Sequence, residues 1–384
     1  MNLSSESISI GLFMTFGGSL KTWKEASIID RELALYKEHA KNGVRTTIIS
    51  YGGPEEVEIA AEYDFIEVLF NQTGLHYRLY ALLLPLIHRN KLSQLDFFKT
   101  NQLYGAHIAS RCAFFFSKPL GIRQGYSHFE NRTRESGEGS STSIAALKYE
   151  KKYLSCSHCN IFTTQEMVNN VYQRHGSNLG ENFIVPNFID PLIWSLPYCQ
   201  NTVSDLFHFV YFGRLSPEKN LKNLFYACQD LSVKITIIGD GPQKSELEEL
   251  SRNLRLDISF KGKCSQPEIV QFLTKADGFV FPSLYEGHPK ALIEAMAFGI
   301  PILTTNSPGI MNEVSDGVSA IVVGQSIEAL RQGVQKMISM STDERMMLGI
   351  NARNKSLKKY AVSEVAARER EIIYQTVRHY RKQG

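Results

Sequence analysis

A rhythm restricts this chain more than any other feature. Short runs rich in β-branched and aromatic residues alternate with longer amphipathic stretches. In the first half the runs are Ile8–Met14, Thr46–Ser50, Asp96–Thr100, Pro119–Arg123, Asn160–Thr163 and Asn182–Val185. Helical patterns such as Trp23–Lys41, Tyr104–Phe115 and Ile144–Leu154 separate them. The second half repeats the scheme with Phe207–Phe212, Lys234–Ile238, Ile258–Phe260, Phe279–Pro282, Pro301–Thr304 and Ala320–Val323. Strands joined through helices pair in parallel, and such sheets are covered on both faces. The chain has 384 residues, and domains average ~150. The expectation is therefore two doubly wound α/β domains.

The boundary falls at Pro186-Asn187-Phe188-Ile189-Asp190-Pro191 and on to Gln200, a Pro- and Asn-rich stretch without periodicity ahead of a new strand. It predicts domains over 1–187 and 188–362, with a last helix, 363–384, returning to the first. A second loose segment, Gly125–Ser143, is polar and rich in Gly and Ser. It reads either as a binding loop or as a mobile surface loop.

Composition narrows the classes. Hydrophobic content of 43% and charged content of 21% exclude disorder and fibre. The longest uninterrupted apolar stretch, Leu79–Ile87, contains Pro85 and is far short of the ~20 residues of a spanning helix; it reads as the face of a core helix. No basic region precedes an apolar core at the N-terminus, so no signal peptide is expected. Six cysteines are too few for a disulfide scaffold and fit the cytosol. Cys156-Ser157-His158-Cys159 lacks a second pair at zinc spacing, so no metal is expected. The net charge is +3, but Asn351–Gly384 alone carries +6. That basic end reads as a solvated helix face or as a contact with the inner face of an anionic membrane. Nothing accompanies it that would read nucleic acid.

Four stretches carry chemistry. The first is Asp277–Phe298, DGFVFPSLYEGHPKALIEAMAF. A strand runs into a loop, and a helix is predicted to start with Pro289 at its first position. The N–H groups of Lys290 and Ala291 would then form an anion site. Glu286 and Glu294 bracket it, which suits a ligand with both phosphates and hydroxyls; they read equally as a loop charge and a helix residue.

The second is Phe212–Leu221, FGRLSPEKNL, with Arg214 at a strand's carboxyl end and Lys219 across the turn. Ser216 is placed to cap a helix beginning at Pro217. The two cations could straddle a diphosphate or simply face solvent. The third, Gly239-Asp240-Gly241-Pro242, lacks the third glycine of a dinucleotide fingerprint; Gly241 suits close approach of backbone to a ligand. In the fourth, Gly17 and Gly18 sit in a first βα loop that either meets a phosphate or sugar or is only a turn.

Together these stretches resemble the retaining glycosyltransferases of family 4 (glycosyltransferase group 1), which have the GT-B fold. Glu286 and Glu294 lie in EGHPKALIEA, Arg214 and Lys219 in GRLSPEKN, and IIGDGP and PNFID match further elements in order. GGSLKTW and IRQGYSHF resemble members that build surface polysaccharides.

The resemblance implies two Rossmann-like domains facing each other across a cleft, the second binding a UDP- or GDP-sugar and the first taking a saccharide or lipid-linked acceptor. It implies that Arg214 and Lys219 hold the diphosphate, Glu294 the ribose and Glu286 the transferred sugar. Gly287, His288, Pro289, Lys290, Ala291 and Leu292 would meet phosphates and sugar, Lys263 the base, and Gly17 and Gly18 the diphosphate from the first domain. No metal is required on this reading. His288 stands where a small or aromatic residue is commoner. A sugar-nucleotide epimerase or hydrolase, or a non-catalytic binding subunit, would use the same pocket. The oligomeric state is not legible.

Overall fold

The computed structural model describes residues 7–190, 194 and 206–383, in two units. Unit 1 is residues 1–187 with 362–384, and unit 2 is 188–361.

Unit 1 begins with β1 (Ile8–Phe13), α1 (Leu20–Glu25), α2 (Ile29–Lys41), β2 (Val44–Ile49), α3 (Glu55–Ala60) and β3 (Ile66–Leu69). Next come α4 (Tyr77–Ile87), α5 (Arg89–Ser93), β4 (Phe97–Thr100), α6 (Ala106–Phe116) and β5 (Leu120–Gln124). Then α7 (His128–Ser136), α8 (Ser141–Cys156), β6 (Cys159–Phe162), α9 (Gln165–His175) and β7 (Glu181–Ile184) follow. The strands form one parallel sheet in the order β3-β2-β1-β4-β5-β6-β7. β1, β4, β5 and β6 are buried along their whole length, as strands covered on both faces must be.

Unit 2 runs through β8 (Phe207–Phe212), α10 (Leu221–Cys228), β9 (Val233–Ile238), α11 (Lys244–Asn253), β10 (Asp257–Gly262) and α12 (Gln266–Leu273). It continues with β11 (Gly278–Phe281), α13 (Lys290–Phe298), β12 (Ile302–Thr305), α14 (Pro308–Met311), β13 (Ile321–Val323), α15 (Ile327–Ser339) and α16 (Thr342–Tyr360). Its sheet is also parallel, in the order β10-β9-β8-β11-β12-β13. In both sheets the strand order reverses beside the first strand, at β1/β4 and at β8/β11. Ligands of doubly wound sheets bind beyond the strand carboxyl ends at that point.

α17 (Val362–Gln383) belongs to unit 1, where it packs on α2. Glu369 fastens it. Its carboxylate is fully buried, 2.6 Å from Lys99 Nζ on β4, 3.0 Å from His39 Nε2 on α2 and 3.7 Å from Arg123 on β5. Burial alone would raise the Glu369 carboxyl, but Lys99, His39 and Arg123 hold it well below the usual range. Burial lowers Lys99 and His39 in turn. Within unit 2, Ile189 N–H donates to the Tyr360 carbonyl at 2.8 Å. Beyond Asp190, the predicted linker lies outside the described residues except for Trp194.

Four local expectations are corrected. The helix read over Trp23–Lys41 is two helices. After Ala26, Ser27 takes a left-handed φ of 55°. Ser27 N–H donates to Lys24 and Ile28 N–H to Trp23, the paired bonds that end a helix. The loose segment Gly125–Ser143 contains α7. The Ser127 hydroxyl accepts the Glu130 N–H at 3.2 Å, and Glu130 holds Arg174 of α9 at 3.0 Å. This helix has no buried residue, so polar contacts replace the apolar stripe that periodicity looks for. β3 was missed because it is a four-residue edge strand with Glu67 inside it. Finally, Leu79–Ile87 is not only a core face: Leu79, Leu82, Leu83 and Leu86 point to solvent.

Candidate active site

The unit 2 switch point gathers the charged residues. β8 ends in a loop whose Pro217–Lys219 segment is a single 3-10 turn. Ser216 does not cap it: the hydroxyl instead donates to the Glu218 carboxylate. Asn220 ends the turn in the left-handed region with φ 57°. Its side-chain amide donates to the Gln325 carbonyl at 3.1 Å, and Gln325 in turn donates to the Leu284 carbonyl at 2.7 Å. The Leu284 N–H donates to the Glu218 carbonyl at 2.8 Å, so the β8 and β11 loops are stitched together.

That stitching brings Lys219 Nζ to 2.6 Å from Glu286 Oε1, with both side chains largely buried. The ammonium also lies 5.6 Å from the centre of the Phe281 ring, at the end of β11. Arg214, on the same β8 loop, is exposed, and its carbonyl accepts the Tyr211 hydroxyl at 2.9 Å. Behind Glu286 stands Gly309. A Cβ there would lie 2.1 Å from the Glu286 carbonyl oxygen, so only glycine lets that backbone settle.

α13 starts one residue later than its sequence predicts. Pro289 is the N-cap with extended ψ, and Lys290 is the first helical residue. Proline has no side-chain acceptor, so the N-cap residue itself makes no side-chain bond to the turn bearing Lys290, Ala291 and Leu292. Glu294, one turn on, is buried and accepts from Gln266 Nε2 at 3.1 Å. Around Gly287 the space a Cβ would enter is open. His288 is buried beside Glu313, with Nε2 3.6 Å from Oε1, and its ring meets Tyr360 edge-on.

Two glycine expectations look different in place. A Cβ on Gly241 would lie 2.3 Å from the Leu215 carbonyl, and one on Gly239 only 1.9 Å from that of Gly213. The close approach here is between the β8 and β9 loops. In unit 1, Gly18 N–H closes a turn on the Thr15 carbonyl at 2.7 Å, and Gly17 takes φ 82° beside Tyr77. The helix that follows is already supplied with an anion. The Leu20 and Lys21 N–H groups donate to the buried Glu56 carboxylate at 2.8 and 3.0 Å.

Lys263 is exposed just past β10, the outer strand. At ~4.8 Å per strand it stands roughly 10 Å across the sheet from β8. The structure thus joins Lys219 to Glu286, sets both beside the start of α13, and leaves Lys263 apart. Sequence reasoning missed Gln266, Phe281 and Gln325. Gln266 and Gln325 carry no spacing signal, whereas Phe281 was read only as the end of a strand.

The fold is GT-B, as comparison with solved structures shows. Sucrose-phosphate synthase from Thermosynechococcus elongatus superposes with a TM-score of 0.77 at 18% identity, covering 96% of this chain and 98% of that one. Anabaena HepE in complex with UDP and glucose gives 0.73 at 18% identity, covering 96% and 100%. Residues 200–355, within the second unit, match the family described as glycosyl transferases group 1. Among curated relatives, the putative teichuronic acid biosynthesis glycosyltransferase TuaC of Bacillus subtilis (strain 168) is 31% identical over 129 residues, 33% of this chain and 32% of that protein. The chain spans from a third to about half the length of such relatives.

Proposed function

We propose that this chain transfers a hexose-type sugar, with retention of anomeric configuration, from a nucleoside diphosphate donor to a saccharide or lipid-linked acceptor. The product class is a cell-surface polysaccharide or lipopolysaccharide, a reading supported by the likeness to TuaC. The carrying observation is the Lys219–Glu286 pair at the β8/β11 switch point, just ahead of the start of α13.

The pair works as a placeholder. An arriving diphosphate offers Lys219 two negative charges in place of one, and Arg214 adds its guanidinium fork. Glu286, released, accepts a hydroxyl of the sugar to be transferred. Glu294 accepts the ribose hydroxyls, and the N–H groups of Gly287 through Leu292, His288 included, meet sugar and phosphate. Lys263 lies on the side of the base.

As the glycosidic bond breaks, charge grows on the leaving diphosphate. Preorganised cations and helix N–H groups stabilise that charge more than they stabilise the ground state, which is the origin of the rate gain. The acceptor attacks from the face the diphosphate leaves, and a leaving phosphate oxygen takes its proton.

The test is a thermal-shift panel of UDP, GDP, ADP and CMP with their sugar conjugates, with and without Mg²⁺. A donor held at a hundred times its Kd stabilises unit 2 by about 2.7 kcal/mol. The expected result is a shift with one base only, abolished in Lys219→Ala. No shift with any nucleotide overturns the reading.

A further inference from the structure

Past Arg78, α4 is apolar all the way round. Tyr80, Ala81, Leu84 and Pro85 face the interior of unit 1. The opposite face is a stripe at helical spacing, with Leu79 57%, Leu82 59%, Leu83 42% and Leu86 62% exposed. A surface helix ordinarily puts charged or polar residues there.

The stripe has apolar company. The connections from β3 to β4 and from β4 to β5 run in one direction across the sheet. Right-handed crossovers therefore place α4 and α6 on the same face. α6 packs beside α4, where an Arg111 guanidinium N–H donates to the Ala81 carbonyl. Three and four residues past Arg111, Phe114 and Phe115 are 90% and 51% exposed. A cluster of exposed leucines and phenylalanines on adjacent helices marks an interaction surface.

Charge identifies the occupant. Between Glu67 and Glu130 the only acidic residue is Asp96, against Arg78, Arg89, Arg111 and Lys118; of the other cations there, Lys91 pairs with Glu67, and Lys99 and Arg123 are buried against Glu369. Asp96 is itself held by Arg381 at 2.9 Å. Arg78 opens α4 and Arg89 opens α5, both exposed. An isologous contact with a second copy would set these cations against their own images. A surface carrying negative headgroups over hydrocarbon complements both features.

We propose that the leucine face of α4, with Phe114 and Phe115 of α6, seats unit 1 on an anionic lipid surface. The helix lies in the plane of the headgroups, its leucines at the acyl boundary and Arg78 and Arg89 among the phosphates. It does not cross: no helix among the described residues is long and apolar enough. This site is distinct from the basic end of α17, where Arg381 is engaged with Asp96.

The test is co-sedimentation with vesicles of phosphatidylcholine, with and without phosphatidylglycerol, at low and physiological salt. The full chain is expected to bind the mixed vesicles and to bind less as salt rises. Combining Leu79→Gln, Leu82→Gln and Leu86→Gln lowers partitioning at least about tenfold. Pairing Arg78→Gln with Arg89→Gln removes most of the salt dependence. These side chains are exposed, so circular dichroism and nucleotide thermal shifts should match the parent. They also separate this proposal from the donor reading, since each assay can fail alone. Wild-type protein that ignores mixed vesicles, or triple-variant binding equal to wild type, overturns the proposal. So does concentration-dependent self-association that the triple variant abolishes, which assigns the face to a second copy.

Discussion

Two lysine–glutamate pairs in this molecule have the same length and opposite character. Lys99–Glu369 and Lys219–Glu286 are both 2.6 Å apart. The first is sealed, with no exposure on either side chain, while the second keeps 15% and 10%. The sealed pair shares its carboxylate with His39 and Arg123 and ties α17 to the sheet. The other lies between two strand-end loops beside a helix start whose N-cap is a proline. Burial decides the difference. In a dry interior the loss of one partner strands a charge, whereas near water an arriving ion can replace a partner.

The helix starts repeat the contrast. α1 of unit 1 has an anion in Glu56, whereas the N-cap of α13 in unit 2 is a proline that makes no side-chain bond.

The comparison breaks most readily at the sealed pair. Glu369→Ala should cost about 3–5 kcal/mol of unit 1 stability, measured by urea unfolding, because Lys99 is left buried and alone. A loss as small as a surface substitution gives would show that water reaches Lys99. Lys219→Ala should do the reverse. Sugar transfer falls about 10²–10³-fold, and unfolding shifts by only about 1–2 kcal/mol. Full turnover in that variant removes Lys219 from the mechanism.

The smallest effect is on pH. His39 folds with its pKa lowered, so the unfolded chain takes up the proton first. The stabilisation is complete above about 6.5 and drains as pH falls below it. Glu369, also depressed, adds a second loss below about 4.3 as its carboxylate is protonated in the unfolded chain. Unit 1 should therefore lose stability in two stages on acidification, and Glu369→Gln should shrink the lower one, to which the depressed Glu150 carboxyl also contributes.

Much of the fold was legible. β8 occupies the residues its β-branched and aromatic run marked out, and the other strands read from the sequence lie within a residue or two, because buried parallel strands are nearly continuous apolar runs. Elements held by polar contacts were not legible: α7 depends on Ser127 and Arg174, and the break at Ser27 on backbone bonds. The outward leucines of α4 were misread because an all-apolar helix gives periodicity no preferred face.

At the site, residue types and spacing brought Arg214, Lys219, Glu286 and Glu294 forward. Spacing could not bring together Lys219 and Glu286, 67 residues apart, or Gln266 and Glu294, 28 apart. Nor could it show that Gly241 accommodates Leu215 or that Gly309 accommodates Glu286.

Glu369 has a further consequence, in time rather than space. It is 270 residues downstream of Lys99, and ribosomes add about 5–20 residues per second. The first sheet therefore waits on the order of tens of seconds for the carboxylate that neutralises its inner lysine. Unit 2, residues 188–361, is encoded between them, and its last residue precedes Glu369 by eight positions. On the ribosome the unit that is begun first is thus also the last to be completed, and it stays open to chaperones until the last helix arrives.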